Sequence, residues 1–271
     1  MTDAEARAFI KIMFETYKDR KEKKYRHADN IRLASLIIDA YVKYVKKPKF
    51  SIIVNQYKKK YIHNEARVEN NATIEEKEGL GLVYDYISEF DFEKDNYNIF
   101  TTSLIIHGKL YSRCPYSSFG GKLRDVAAYL EDTNMEVASP EEARKYFNSL
   151  INESNNIFIP LYNGSIIDYI DNCVVETVKL IKLQPFCDGN KRTFRAVLNL
   201  LLKKVNIPPI YIEKHERTIY KVALLEAIEK NNYEKIINFY HFKICDSIMN
   251  LDINSSMIND LDNNKTLKKR L

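Results

Sequence analysis

The chain has 271 residues, of which 45% are hydrophobic and 29% are charged, a balance that can bury the core of one large domain. The net charge of +5 is modest, and the short lysine runs are typical of solvated helix faces, so a nucleic-acid partner is not expected. No apolar run approaches the roughly 20 residues of a membrane helix. The polar N-terminus has no signal-peptide core. We therefore expect a cytoplasmic protein without membrane insertion, and secretion as an effector stays open.

The first third of the chain is predicted to be helical. Only seven glycines and seven prolines are present, which favours long helices over short strands joined by tight turns. Apolar residues recur at helical spacing over residues 4–47, and Pro48 marks a break. Further helix is predicted over residues 50–90, followed by a polar connection at 91–98. Residues 1–98 are therefore expected to form an N-terminal helical region.

A helix is predicted from Ile99 to Leu110, and a loop follows at residues 114–121. The next segment has the pattern of a small β-hairpin. Its strands would lie at 126–129 and 135–137, around a turn at 131–134. Two short strands are marginally stable by themselves, so this hairpin would depend on packing against the helices.

The C-terminal half is predicted to be helical as well. Ser139 and the proline after it form an N-terminal helix signal. Four further helices are expected at 165–183, 191–204, 215–231 and 233–249. The helix at 191–204 is apolar nearly all round and should be central and buried. We expect a core domain over residues 99–250 and a flexible polar tail over 251–271.

Residues 184–195 form the most informative segment and read Gln-Pro-Phe-Cys-Asp-Gly-Asn-Lys-Arg-Thr-Phe-Arg. Gly189 lets the backbone turn closely around a ligand, and free N–H groups at the start of the next helix form an anion site. Arg192 and Arg195 are three residues apart, so they project from one helix face and can fork onto phosphate oxygens. Lys191 adds a point charge.

Asp188 completes this set because a carboxylate is a hard oxygen ligand suited to Mg²⁺. Anion donors with one carboxylate are what a magnesium–polyphosphate pocket needs. The segment resembles the signature of the Fic (Fido) family, which usually reads His-x-Phe-x-Asp/Glu-Gly-Asn-Gly/Lys-Arg-x-x-Arg. Every position after the first matches, and Gln184 stands where the family has its catalytic histidine.

A second resemblance lies upstream, where Gly121, Arg124 and Val126 are similar to the run that opens the family's flap. The resemblance covers residues 99–240. It implies an all-α Fic-type helical bundle with a small β-hairpin flap. The unpaired flap edge would hold a segment of a target protein by strand addition. It leaves a homo-oligomer or an antitoxin-like regulatory partner open.

The resemblance also implies a reaction, the transfer of AMP from Mg-ATP to a hydroxyl of a target protein with release of pyrophosphate. By that match Asp188 would bind Mg²⁺. The residues expected to hold the nucleotide are Gly189 and Asn190 at the α-phosphate, Arg192 and Arg195 at the outer phosphates, and Tyr220 at the adenine. Lys191 is expected to add its charge to this phosphate site.

Gln184 puts the chemistry of the site in question. The family's histidine deprotonates the incoming hydroxyl, and glutamine has no titratable group, although its amide donates and accepts hydrogen bonds. Three alternatives follow: a Fic transferase with weakened activity, a pseudoenzyme that binds nucleotide or protein, and a protein that transfers a phosphoryl or other phosphate-containing group.

An inhibitory helix is a further feature that the resemblance implies, with the pattern Ser/Thr-x-x-x-Glu-Gly/Asn. Residues 71–76 resemble it, with Asn71 at the first position and Glu75 at the glutamate. We therefore expect an inhibitory helix near residues 65–80 in which Glu75 reaches Arg195 and obstructs ATP. The alternative is a solvated acidic helix face.

Overall fold

The computed structural model describes all residues except 23–26, 46–49, 70–71, 131–132, 134 and 268–271. Its regular structure is helical, and the described residues contain no β-strand. The α-helices are α1 (Asp3–Glu22), α2 (His27–Tyr44), α3 (Phe50–Val68), α4 (Ile74–Glu89), α5 (Ile99–Tyr111), α6 (Pro140–Glu153), α7 (Ile159–Tyr162), α8 (Ile166–Leu183), α9 (Asn190–Lys204), α10 (Arg217–Lys230) and α11 (Glu234–Leu267). The predicted all-α class is confirmed.

The predicted β-hairpin is wrong for the part of its span that is described. Residues 126–130 and 135–138 form no strand, and most of the expected turn lies outside the described residues. The carbonyl oxygens of Val126 and Ala138 accept hydrogen bonds from the buried guanidinium of Arg124. These two bonds tie both ends of the segment to the Arg124 side chain instead of to each other.

The last helix is longer than its sequence pattern predicts. We expected it to end at residue 249, before a flexible tail, but the α11 backbone continues to Leu267. Neither glycine nor proline occurs between Glu234 and Leu267, so no residue in the segment stops a helix. The predicted break at Pro48 lies outside the described residues.

Side-chain caps fix where several helices begin. At α6, the Ser139 hydroxyl accepts the N–H of Glu142 while the Glu142 carboxylate accepts the N–H of Ser139, which matches the predicted helix start. Thr73 and Glu76 form the same reciprocal pair at the start of α4. This cap holds Glu76 at the first turn of α4.

Helix α9 lies at the centre of the molecule, as its apolar sequence predicts. Most of its side chains are buried, and it packs against α8, α5 and α4. Helix α3 packs on α4 and contributes further side chains beside α9. The N-terminus of α9 therefore lies between α5 on one side and α3 and α4 on the other. No helix among the described residues combines the length and apolarity needed to cross a bilayer.

Candidate functional site

The loop between α8 and α9 has a fixed backbone shape. Gln184 ends α8 in the left-handed region at φ 48°, and Gly189 precedes α9 at φ 70°. The Asn190 side chain holds the turn because its Oδ1 accepts the N–H of Phe186 at 2.9 Å and its Nδ2 donates to the Phe186 carbonyl at 2.8 Å. Asn190 therefore supports the loop from inside, and it also lines a cavity above the loop; its role at the α-phosphate stays a prediction.

Gln184 is buried and uses its amide within the same loop. Its Nε2 donates to the carbonyl of Ile181 at 2.6 Å, and its Oε1 accepts from Asn190 Nδ2 at 3.0 Å. Its own carbonyl accepts from Arg124 Nε at 2.5 Å. The side chain thus stabilises the C-terminus of α8 and the turn, and an amide so placed cannot act as a general base.

Helix α5 supports the loop through two side chains. The Nδ1 of His107 accepts the N–H of Gly121 at 2.9 Å, so Nε2 has the proton and donates to the Asp188 carbonyl at 3.0 Å. Burial lowers the pKa of His107 to about 4, so the ring is neutral at physiological pH. The ring also stacks on Phe186, with centroids 4.0 Å apart. The hydroxyl of Tyr111 donates to Asp188 Oδ2 at 2.8 Å.

The three predicted cations project from the first turns of α9, and each has a carboxylate partner. Arg192 donates from Nη1 to Glu76 Oε1 at 2.9 Å. Arg195 donates from Nε to Glu65 Oε2 at 2.8 Å and from Nη1 to Glu69 Oε1 at 2.6 Å. The Nζ of Lys191 lies 3.2 Å from Glu69 Oε2. A polyphosphate that binds these cations would therefore have to replace carboxylate oxygens.

The two carboxylates beside Arg195 differ in their protonation behaviour. Burial raises the pKa of Glu65 despite the attraction of Arg195, because its side chain is 1% exposed. Burial also raises the pKa of Glu69, but Arg195 and Lys191 outweigh it, so the net shift is downward. Glu69 is also the more accessible of the two, and at 24% exposed it has room to move.

The expected contact between Glu75 and Arg195 is wrong. The Glu75 side chain is exposed on the outer face of α4, whereas its neighbour Glu76 turns inward to Arg192. The carboxylates at Arg195 come from α3. A sequence signal for one of them was present, since Glu69 is followed by Asn70 and preceded four positions earlier by Glu65. Glu69 and Asn70 match the last two positions of the Ser/Thr-x-x-x-Glu-Gly/Asn pattern, whereas Glu75 is followed by another glutamate.

Asp188, the predicted Mg²⁺ ligand, lies at the cavity above the loop with an exposed carboxylate. Its side chain is 64% exposed, and Oδ2 lies 3.6 Å from Arg192 Nη2. The described residues contain no group of three or more His, Cys, Asp or Glu side chains that could hold a metal ion. One exposed carboxylate beside a phosphate-type anion site nevertheless fits Mg²⁺, which is commonly bound by one or two carboxylates together with substrate phosphates and water.

A cavity of about 310 Å³ lies above the loop, a volume at the lower end of small-molecule sites. Its wall includes the side chains of Glu69, Glu76, Tyr129 and Cys187 and the residues from 188 to 192. Tyr220, expected at the adenine, is only 3% exposed and packs against Arg195, so in this conformation it offers no open ring face.

The predicted flap residues have structural partners. The N–H of Gly121 is bonded to His107, Arg124 is buried against three backbone carbonyls, and Val126 is 55% exposed. Since the described residues here form no strand, they offer no strand edge to a target segment. The sequence did not indicate the supporting roles of His107 and Tyr111.

The helical fold and the segment 184–195 can be compared with known protein families. Residues 101–202 match the model of the Fic/DOC family, a range inside the core predicted over residues 99–250. The chain therefore contains a Fic domain.

Similar proteins agree with this assignment. The chain is 23% identical over 183 residues to a protein adenylyltransferase Fic of Nematostella vectensis, covering 67% of this chain and 40% of that protein. It is 27% identical over 104 residues to the protein adenylyltransferase fic-1 of Caenorhabditis elegans, covering 38% of this chain and 19% of that protein. The chain thus spans less than half the length of these relatives.

Two solved structures share the fold. A structure of Fic-1 from C. elegans aligns with a TM-score of 0.63 at 14% identity, over 89% of this chain and 86% of that one. A Fic domain containing signaling protein from Bacteroides thetaiotaomicron aligns with a TM-score of 0.63 at 15% identity, over 89% of this chain and 94% of that one. At these identities the likeness concerns the fold alone.

Proposed function

We propose that this chain binds Mg-ATP in the cavity above residues 184–195 and transfers AMP to a protein hydroxyl at a reduced rate. The observation that supports it most is the convergence of Lys191 and Arg192 with Asp188 around one cavity. Arg195 lies behind the wall of this cavity, bonded to the lining residue Glu69. The names of the relatives, protein adenylyltransferases, favour AMP as the transferred group.

In the proposed reaction, the oxygen of a target hydroxyl bonds to the α-phosphorus of ATP, the bond to the β-phosphate oxygen breaks, and pyrophosphate leaves with its electron pair. Arg192 and Arg195 would neutralise the charge on the leaving pyrophosphate after they exchange their carboxylate partners for phosphate oxygens. Asp188 would hold Mg²⁺, whose charge would further stabilise the phosphate oxygens.

Gln184 cannot take up the proton of the target hydroxyl, and the absence of a general base typically lowers the reaction rate by a factor of about 10² to 10⁴. The proton would pass to water or to a nucleotide oxygen. This loss is the reason for proposing slow transfer.

A second candidate is a pseudoenzyme that binds nucleotide without chemistry. The internal hydrogen bonds of Gln184 favour it, since both the nitrogen and the oxygen of the amide are engaged in stabilising the loop. Both candidates require the same pocket, so binding and transfer have to be measured separately.

Calorimetry with millimolar Mg-ATP tests the pocket. We expect binding that weakens at least tenfold in Arg192→Ala, because that change removes a charged hydrogen-bonding partner of the phosphates. If neither the wild type nor a Glu69→Gln variant, in which one competing carboxylate is neutral, binds Mg-ATP, the nucleotide proposal fails.

Transfer of label from α-phosphate-labelled ATP separates the two candidates. Slow labelling of a target protein by the wild type, lost in Arg192→Ala and raised about 10² to 10⁴ in Gln184→His, supports the weakened enzyme. Labelling by Gln184→His alone assigns the native chain to the pseudoenzymes. Failure of both variants and the wild type to label, with ATP binding intact, would reject AMP transfer.

A further inference from the structure

One buried hydroxyl joins the two kinds of ligand group in the site. Tyr111 of α5 donates to Asp188 Oδ2 at 2.8 Å and accepts from Arg192 Nη2 at 2.9 Å. The guanidinium and the carboxylate are themselves 3.6 Å apart, beyond a normal hydrogen bond. The hydroxyl therefore provides the hydrogen-bonded connection between them and holds them at that separation.

The position of this hydroxyl is fixed by packing. Tyr111 is fully buried, and its ring contacts His107 and Phe119, with centroid distances of 5.0 and 4.9 Å. Burial raises the pKa of Tyr111, so the hydroxyl stays protonated and acts as the hydrogen-bond donor to the Asp188 carboxylate. A Cβ at Gly189 would lie 2.6 Å from the Tyr111 oxygen, so the loop requires glycine where the tyrosine approaches it.

We infer that Tyr111 is a positioning residue that holds the Asp188 carboxylate and the Arg192 guanidinium apart and in register, so that one can bind Mg²⁺ while the other binds phosphate. This inference rests on the proposed Mg-ATP site. Without the hydroxyl, the exposed carboxylate keeps the Gly189 N–H bond at Oδ1, but Oδ2 is released. Since the terminal torsion of Asp is soft, Oδ2 can then close onto Arg192 as a direct ion pair. Each group would then neutralise the other, and the metal and the phosphates would lose their partners together.

The distinguishing measurement is the ratio of ATP affinities with Mg²⁺ and with EDTA, for the wild type and for Tyr111→Phe. A purely structural role would weaken both affinities alike and leave the ratio unchanged. We expect the ratio to fall on the order of tenfold in Tyr111→Phe, the size of one hydrogen bond to a charged group. The matched control is Tyr169→Phe, which removes a buried hydroxyl bonded to the Leu201 carbonyl at 2.8 Å, near the C-terminal end of α9 and so at the opposite end of that helix from the loop. It should keep the wild-type ratio.

Each outcome decides the inference. An unchanged ratio in Tyr111→Phe, or the same reduction in both tyrosine variants, overturns it while leaving the proposed Mg-ATP site intact. Absence of ATP binding to the wild type under both conditions overturns the proposed site, and the inference with it. If Tyr111→Phe does not fold, Gly189→Ala replaces it, because the added Cβ displaces the hydroxyl without removing it; an unchanged ratio there also overturns the inference.

Discussion

The two sides of the loop at 184–195 hold it by different kinds of force. On the α5 side, formed by His107 and Tyr111, neutral groups make hydrogen bonds to the loop. On the carboxylate side, formed by Glu65, Glu69 and Glu76, ion pairs neutralise the cations of α9. The α5 side therefore sets the shape of the loop, and the carboxylate side sets whether its charges are free to bind an anion.

This division implies that changes at His107 act mainly on the stability and order of the loop, while changes on the carboxylate side act mainly on ligand affinity. Glu65 is the exception on its side, because it is fully buried and cannot leave Arg195 without an energetic penalty. Glu69, at 24% exposed, can exchange places with a phosphate group more readily.

The largest expected effect tests that exception. Arg195→Ala should lower the free energy of unfolding by about 3–5 kcal/mol, because it leaves the buried Glu65 without its partner. Urea unfolding followed by circular dichroism measures it. The control Lys191→Ala removes a partly exposed cation bonded to Glu69 and should cost no more than about 1 kcal/mol. Equal losses in the two variants would show that the carboxylate side is energetically uniform and would remove the exception.

His107, on the α5 side, should make the stability of the protein depend on pH. The folded pKa of His107 is about 4, against an ordinary value of 6.5, so between these values the unfolded chain binds more protons than the folded one. The stability that neutral His107 contributes is complete above pH 6.5 and is lost as the pH falls towards 4, by up to about 3 kcal/mol.

Thermal unfolding of the wild type and of His107→Gln between pH 7 and pH 4 isolates this effect. The difference in stability between the two proteins should shrink on acidification, since glutamine does not titrate. His63→Gln, at an exposed histidine, should run parallel to the wild type. A wild type and a His107→Gln variant that lose stability in parallel would show that His107 is not the titrating group.

The features that could be predicted from the sequence are those determined by residues close together in the chain. Helical periodicity gave the helices, the cap at Ser139 gave the start of α6, and the spacing within 184–195 gave the cations and the exposed Asp188. The hairpin was wrong for the described residues, because a short-range pattern contains no information about Arg124, whose guanidinium bonds the carbonyls of Val126 and Ala138 at the two ends of the segment.

The supporting residues could not be predicted because they depend on how helices meet. Tyr111 is 77 residues from Asp188, and Glu65 is 130 residues from Arg195. Nothing local marks a tyrosine on an apolar helix as a partner of a distant loop. The inward position of Glu76, and not of Glu75, could not be predicted either. Adjacent residues of a helix point about 100° apart, and the packing of α4 on α9 decides which of them faces inward.

The smallest expected effect addresses the carboxylate side directly. Glu69→Gln should raise the affinity for Mg-ATP about tenfold at neutral pH, because the phosphates then displace a neutral amide instead of an ionised carboxylate from Arg195 and Lys191. Calorimetry measures it, and Glu75→Gln is the matched control. It makes the same charge change on the exposed face of α4 and should alter the affinity less than twofold. If both variants gain equally, the gain comes from net charge at long range, and Glu69 does not compete with the nucleotide. If Glu69→Gln loses affinity, the carboxylate instead orients Arg195 for phosphate, and the carboxylate side belongs with the α5 side as part of the support of the loop.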